Sequence, residues 1–317
     1  MSKPIAVIIS DCHYNLQTLE IADLAMRQAI LRANSLNVTL IIAGDLTDNK
    51  ANMRAEVVNQ MLETFKLPNI KPYLLVGNHD KVNEKSDDHA LNFLSQLVHL
   101  VDSFWRDGDL TLIPYQHDPE YLRTFFRGKN NYKFVIMHQG ITGSNSGDYF
   151  QDKSAITPND VAGLRIVSGH YHQRQDIQLP DGGLWSYVGN PYTLNFGEAN
   201  DPDKGFRILN SDGTLDFVPT NLRKHVILDI SLDDKLVIPV KSPQDLGLAR
   251  IRGTKQQLAT FNPDMFEGWK LELIPTEITV QSVNQHQSQP EIIDGLIDTL
   301  ETDLDQKSRL KLLWKGL

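Results

Sequence analysis

Tyr73-Leu74-Leu75-Val76-Gly77-Asn78-His79-Asp80 is the stretch on which the reading of this chain turns. Lys71 and Pro72 precede it, the apolar run reads as a buried strand, and the last four positions supply a glycine turn, an amide, an imidazole and a carboxylate. Few structural turns call for that combination at a strand end. An amide oxygen can bind a hard or borderline cation, and the imidazole beside it can face whatever the cation holds. A turn capped by Asn78 is the plain alternative, and the rest of the chain decides between the two.

The same pattern recurs on both sides. Upstream, Ile5 to Ser10 reads as a central strand ending in Asp11-Cys12-His13, where strand alternation puts Asp11 and His13 on one side and Cys12 on the other. Val38 to Ala43 is a second buried strand, ending in Gly44-Asp45-Leu46-Thr47-Asp48. Between them, apolar residues at 16, 19, 21, 24, 25, 26, 29, 30 and 31 predict a helix over 16–34, and a further helix is expected over 53–65. Downstream, Tyr132 to Met137 is a buried strand ending in His138-Gln139-Gly140. Leu164 to Ser168 ends in Gly169-His170-Tyr171-His172, where alternation again puts both histidines on one side.

Helices over 89–98 and 118–127 and strands over 99–104 and 109–115 complete a strand-helix-strand rhythm with polar residues at strand carboxyl ends. Residues 141–153, rich in Gly, Ser and Asn, read as a loop near the site. Short strands follow over 175–179, 183–188, 206–210 and 214–218, with Asp181-Gly182 and Asp212-Gly213 as hairpin signals, so the second half reads as mostly antiparallel. Two packed sheets with helices outside accommodate that order.

A domain boundary is expected near Thr220, closing a catalytic domain over 1–220. A small α+β capping domain over 221–285 has strands over 226–230, 235–240, 249–253 and 271–280 and a helix over 254–261. After a polar linker, residues 286–317 form a C-terminal helical segment. One face of it, Ile293, Leu296, Ile297, Leu300 and Leu304, either docks a partner or packs on the capping domain; a shorter face follows at Leu310, Leu313 and Trp314.

Composition bounds the function. The chain has 317 residues, 40% apolar and 22% charged, as in ordinary soluble proteins, and no apolar run approaches the roughly 20 residues of a membrane span. Met1-Ser2-Lys3-Pro4 leads straight into a strand, so no signal peptide is expected. Cys12 is the only cysteine, which excludes an intrachain disulfide and suits the cytoplasm. The net charge of −9 argues against holding nucleic acid by bulk positive charge. Residues 1–220 carry 19 Lys and Arg against 26 Asp and Glu, acidity that bound metal would partly neutralise.

Collected, the strand ends offer Asp11, His13, Asp45, Asn78, His138, His170 and His172 as ligands, with Asp48 and His79 beside them. Seven nitrogen and oxygen donors exceed one tetrahedral site and suit two cations sharing a carboxylate. Asp45 is the expected bridge, with Asp11, His13 and His172 on one cation and Asn78, His138 and His170 on the other. Mixed imidazole, amide and carboxylate donors fit Mn, Fe or Zn and disfavour calcium. Such a pair acidifies water and holds the oxygens of a phosphate ester for in-line attack. That leaves His79 to donate a proton to the leaving oxygen, with Asp48 orienting its imidazole. Asp80 is given no catalytic role. His89, His99, His117, His225 and His286 read as structural.

This ordered set of five strand-end motifs resembles the calcineurin-like metallophosphoesterases over about the first 175 residues. The resemblance implies a four-layer αββα sandwich and two divalent metals cutting phosphate esters or diesters. Tyr187-Val188-Gly189-Asn190-Pro191-Tyr192-Thr193-Leu194, then Phe196-Gly197-Glu198 and Asp203-Lys204-Gly205-Phe206, is similar to the segment after the last histidines in SbcD-type nuclease subunits of bacterial SbcCD complexes and in phage recombination nucleases.

That narrower resemblance implies a manganese-dependent DNA exonuclease and endonuclease. It works with an ABC-type coiled-coil ATPase (SbcC type) in double-strand-break processing or recombination, and a homodimer is an option. Tyr14-Asn15 stands where that subfamily usually has Leu-Gly, and the carboxyl-terminal part is shorter than usual. Arg123, Arg127, Lys129 and Lys133 are the expected basic patch for DNA. A small-molecule phosphodiesterase of cyclic-nucleotide type uses the same ligands and is the alternative. A silent binding scaffold is disfavoured because every expected ligand is present.

Overall fold

The computed structural model describes residues 2–48, 53–83, 85–128, 132–145, 156–201, 203–234, 237–239, 241–276 and 307. The expected helices over 286–317 apart from residue 307, the linker, His286, Lys129 and most of the 141–153 loop fall outside them. In chain order the strands are β1 (Pro4–Ile9), β2 (Thr39–Ile42), β3 (Tyr73–Leu75), β4 (His99–Val101), β5 (Trp105–Asp107), β6 (Leu110–Ile113), β7 (Phe134–His138) and β8 (Arg165–Gly169). They continue with β9 (Asp176–Gln178), β10 (Leu184–Tyr187), β11 (Gly205–Asn210), β12 (Leu215–Pro219), β13 (His225–Ser231), β14 (Leu246–Gly253) and β15 (Trp269–Pro275). The helices are α1 (Leu19–Leu36), α2 (Ala55–Thr64), α3 (Pro119–Arg127) and α4 (Lys255–Thr260).

Two six-stranded sheets, ordered β12-β11-β1-β2-β3-β4 and β5-β6-β7-β8-β10-β9, make the centre of the fold. Alternation along the strands builds their cores. Val7, Ile9, Leu40, Ile42 and Leu74 pack with α1 and α2, while Ala6, Ile8, Ile41, Tyr73 and Leu75 join Leu112, Phe134, Ile136 and Val167 between the sheets. On the far face of the second sheet, Val135, Met137, Ile166 and Trp185 pack with Leu122 and Phe126 of α3. The result is an αββα sandwich, as expected.

The helix α1 buries Ile21, Ala22, Ala25, Met26, Ala29, Ile30 and Ala33 at helical spacing. Burying a side chain the size of Met26 or Ile30 stabilises by about 1.5–3 kcal/mol. The helix ends where Asn37 turns left-handed at φ 52° and the Val38 N–H donates to Ala33 O at 3.1 Å. Leu16, Leu24 and Leu31, counted in the apolar stripe from sequence, are 52%, 46% and 67% exposed and lie off the packed face.

Other departures have local causes. The helix expected over 89–98 is a 3-10 turn, Ala90–Leu94, capped by His89 Nδ1 accepting from Leu91 N–H at 3.3 Å. Asp107-Gly108 makes an unforeseen hairpin between β5 and β6, Gly108 sitting at φ 56°. The second half is mostly antiparallel, as expected, β9 with β10 and β11 with β12, and its strands extend both large sheets, β10 parallel beside β8 and β11 antiparallel beside β1. Residues 237–239, expected in a strand, have no regular structure.

Residue contacts divide the chain into two compact units. One comprises 1–228, 237–249 and 266–271 and holds both large sheets. The other comprises 229–236, 250–265 and the chain from 272; it contains α4, whose Thr254 cap accepts from Gln257 N–H at 3.2 Å. The strands β13, β14 and β15 form a three-stranded sheet in that order.

Candidate metal centre

Parallel pairing of β1, β2 and β3 in one sheet and of β7 and β8 in the other sends their carboxyl ends the same way. The loops beyond β1 and β2 are laced together. Asp11 N–H donates to Gly44 O at 3.1 Å, His13 N–H to Asp45 O at 3.1 Å and Tyr14 N–H to Leu46 O at 2.8 Å.

These residues do not alternate as a strand. Asp11, His13, Asp45 and His170 have φ of 54°, 45°, 49° and 91°. Such left-handed backbone costs about 1–3 kcal/mol per non-glycine residue and persists only where surrounding contacts hold it. Asp11 and His13 therefore meet through a strained turn, not through strand periodicity, and His170 and His172 go to different clusters.

Asp11, His13 and His172 form the first cluster, with His13 Nε2 3.1 Å from His172 Nε2. Asp45, His138 and His170 form the second, with His138 Nε2 3.2 Å from Asp45 Oδ2. Asn78 Oδ1 lies 3.0 Å from both His138 Nε2 and His170 Nδ1. Asp45 reaches toward both, its Oδ2 also lying 4.0 Å from His13 Nε2. A Cβ on Gly77 would collide with the Asp45 carboxylate, so only glycine lets the third strand end come this close.

Donor chemistry fits a cation. His138 Nδ1 donates to Ala43 O at 2.7 Å, which directs the lone pair of a neutral imidazole from Nε2 toward Asp45 and Asn78. A carboxylate oxygen, an amide oxygen and imidazole nitrogens converge there, and a divalent cation, taking the place of a proton, satisfies them together.

The calcineurin-like phosphoesterase model matches residues 6–174, a span that begins in β1 and ends just past His172. The chain belongs to the calcineurin-like phosphoesterase family. It is thus a metal-dependent phosphoesterase of the family's dinuclear kind. The protein named "Putative phosphoesterase 244L" of Invertebrate iridescent virus 6 is 25% identical over 239 residues, 71% of this chain and 82% of that one. Similar solved structures include an archaeal phosphodiesterase, at 17% identity and TM-score 0.38 over 69% of this chain and 99% of that chain. Another is a dimetal phosphatase from Danio rerio, at 12% identity and TM-score 0.43 over 66% and 93%.

Charge around the phosphoesterase site is finely opposed. Burial disfavours a charged His138, but Asp45 beside it prevails and raises its pKa to about 9. Asp45 is correspondingly held far below the usual carboxylate range, burial notwithstanding, by His138 and His13. His13 is also raised: burial opposes, while Asp48, Asp45 and Asp11 favour its charge.

Asp48 lies nearer His13 than the sequence suggests. Its Oδ1 is 3.4 Å from His13 Nδ1 and 3.8 Å from His79 Nδ1, and its Oδ2 accepts from Asn15 Nδ2 at 3.0 Å. The direct hydrogen bond to His79 that an orienting role calls for is therefore not made. His79 itself stands at the rim, its side chain 38% exposed, and its backbone N–H donates to Asp45 Oδ1 at 2.8 Å.

Several supporting residues of the phosphoesterase site escaped the sequence reading. Asp80 is the brace of its own loop, accepting from Gly77 N–H at 2.9 Å, Thr47 N–H at 2.8 Å and Thr47 Oγ1 at 2.9 Å. Glu198 holds His172, its Oε1 2.8 Å from Nδ1, while its Oε2 accepts from Asn190 Nδ2 at 2.9 Å and Leu194 N–H at 3.1 Å. Lys204 completes that group, 3.1 Å from Glu198 and hydrogen-bonded to Asn190. Burial works against the Glu198 charge, yet His172 and Lys204 bring its pKa down to about 2. Asn190, Glu198 and Lys204 belong to the segment after the last histidines, whose resemblance was legible while its task was not.

Of the expected basic patch, Arg123 pairs with Glu120 at 3.2 Å and Asp160 at 3.6 Å, Arg127 with Glu120 at 3.2 Å, and Lys133 with Asp109 at 2.5 Å. Intramolecular carboxylates therefore offset these charges. His225 bonds Thr193 Oγ1 at 2.9 Å and His99 stacks on Tyr73, both structural as expected.

Proposed function

We propose that this phosphoesterase hydrolyses phosphodiester bonds in DNA, as an exonuclease and endonuclease in double-strand-break processing or recombination, using two divalent cations, manganese in the cell. The sharing of Asp45 between two donor clusters carries the reading, because a carboxylate so placed suits a dinuclear centre. Asp11, His13 and His172 would hold one cation and Asn78, His138 and His170 the other. Bound there, the pair supplies positive charge to a phosphate ester and acidifies water. His79, at the rim, donates a proton to the leaving oxygen, and Asp48 sets the charge around His13 and His79. DNA as substrate is supported by the nuclease-like segment from Tyr187 to Phe206, whose Glu198 and Lys204 are built into the site.

The net charge of −9 points to a shared grip on DNA, which an ABC-type coiled-coil ATPase in the cytoplasm, or a second copy of this chain, would provide. The paired state of Arg123, Arg127 and Lys133 favours a second reading, a phosphodiesterase for small diesters such as cyclic nucleotides. Manganese-loaded protein, with and without a co-expressed ATPase, is assayed on end-labelled duplex DNA, single-stranded DNA and cyclic nucleotides. Manganese-dependent DNA cleavage is expected; rapid turnover of cyclic nucleotides with intact DNA would overturn the nuclease.

A further inference from the structure

Two lysines are buried among the described residues, and they differ in company. Lys204, 5% exposed, meets Glu198, Asp201 and Asn190. Lys81, 8% exposed, makes no hydrogen bond and no ion pair among the described residues. Its contact is the Tyr115 ring, whose centroid lies 5.8 Å from Nζ. The adjacent carboxylate, Asp80, is turned away to Gly77 and Thr47 and is no counterion.

The stem of Lys81 is packed, but its Nζ is not among the enclosed polar atoms without a partner, so the ammonium reaches solvent with no protein anion beside it and is open to an anion from outside. Lys81 is well placed to meet it. It follows Asn78 by three positions on a loop pinned by Val82 N–H to Asp88 O at 3.0 Å and Ala90 N–H to Asp80 O at 3.0 Å. The Tyr115 ring that it faces also contacts the metal cluster, 6.1 Å from the His170 ring and 6.3 Å from the His138 ring between centroids.

We propose that Lys81, beside Tyr115, is the subsite for the phosphate next to the scissile one in a polynucleotide. The inference rests on reading the site as a phosphodiesterase and deepens it. A polynucleotide brings a second phosphate to Lys81, whereas a cyclic nucleotide has only the one being cut. Lys81 is thus a specificity residue, acting on substrate affinity and not on bond cleavage.

The test compares thymidine 5′-(4-nitrophenyl phosphate) with its 3′-phosphorylated form and with a nucleoside pyrophosphate ester. It uses the wild type, Lys81→Met, Lys81→Arg and an exposed-lysine control, Lys66→Met. Lys81→Met should raise KM for the 3′-phosphorylated diester about 10- to 100-fold more than for the single-phosphate diester, the loss expected for one charged hydrogen bond, with kcat little affected. Lys81→Arg should keep the discrimination.

Metal-stripped protein gives a readout without turnover. Anisotropy of a labelled single-stranded oligonucleotide should show weaker binding in Lys81→Met than in Lys66→Met, with the salt slope shallower by about 0.7. Equal KM changes on the two diesters, or an unchanged salt slope, would overturn the proposal. A larger effect on the pyrophosphate ester would overturn the polynucleotide assignment. Wild type inactive on every diester sinks the phosphodiesterase reading, while the anisotropy arm still decides on Lys81. Lys81→Gln replaces Lys81→Met if the latter does not fold.

Discussion

Glu198 Oε1 lies 2.8 Å from His172 Nδ1, so a residue beyond the family-matched span fixes the orientation of one inside it. The contact makes the imidazole donate from Nδ1 and turns Nε2 toward His13. Replacing Glu198 by Gln should weaken uptake of one of the two metals by about 10- to 100-fold, the usual cost of losing a partner of this kind. Metal titration followed by elemental analysis checks it; two metals bound with wild-type affinity would remove Glu198 from the site.

The same glutamate sets an acid limit. Its pKa is lowered from 4.5 to about 2, so its contribution to stability is full above pH 4.5 and fades as pH falls toward about 2. Glu198→Gln should flatten that acid limb in chemical denaturation at stepped pH, and an unchanged limb would argue for other carboxylates.

His138 has the opposite sign. In metal-free protein its folded pKa, about 9 against 6.5, gives stability that is complete below pH 6.5 and is lost as pH rises through about 9. Metal loading takes the proton's place at the imidazole, so it should release protons near neutral pH and abolish that slope. Melting temperature against pH for stripped and loaded protein would refute this by giving parallel curves.

Asp80→Ala should destabilise by about 3–5 kcal/mol, since it leaves the buried donors of Gly77 and Thr47 without their charged acceptor. Metal affinity should fall with it, because Asn78 rides on the same loop. Urea unfolding gives the number, and a loss below about 1 kcal/mol would mean that other groups replace the brace.

His79→Asn should keep both metals and lower kcat by about 10²- to 10⁴-fold, the range of a general acid. Full activity in that variant excludes proton donation by His79.

Much of this site was legible because its residues sit at the ends of strands that hydropathy locates easily. Asp11, His13, Asp45, Asn78, His138, His170 and His172 could be collected from sequence, and the fold brings them within reach of one another. What brings them together was less legible: left-handed φ at Asp11, His13, Asp45 and His170 is set by loop-to-loop hydrogen bonds that no periodicity encodes. Asp80 went unassigned because a carboxylate beside a ligand looks the same in sequence whether it faces a cation or a backbone amide. The partners of Arg123 and Lys133 lie 37 and 24 residues away, at Asp160 and Asp109, and a basic cluster reads as free until its carboxylates are placed.

The pairing of β1 with β11 also bears on how the chain is made. Pro4 opposes Asn210 and Ile8 opposes Arg207, so β1 leaves the ribosome some two hundred residues before its second neighbour exists. Until then β1 has one bare edge, open to mispairing with another nascent chain. A shortened chain stopping at residue 174 would carry every proposed ligand and still lack β9 to β12, with Glu198 and Lys204 among them. Closure of the metal centre thus belongs to the last stage of folding, a late event governed by long-range contacts.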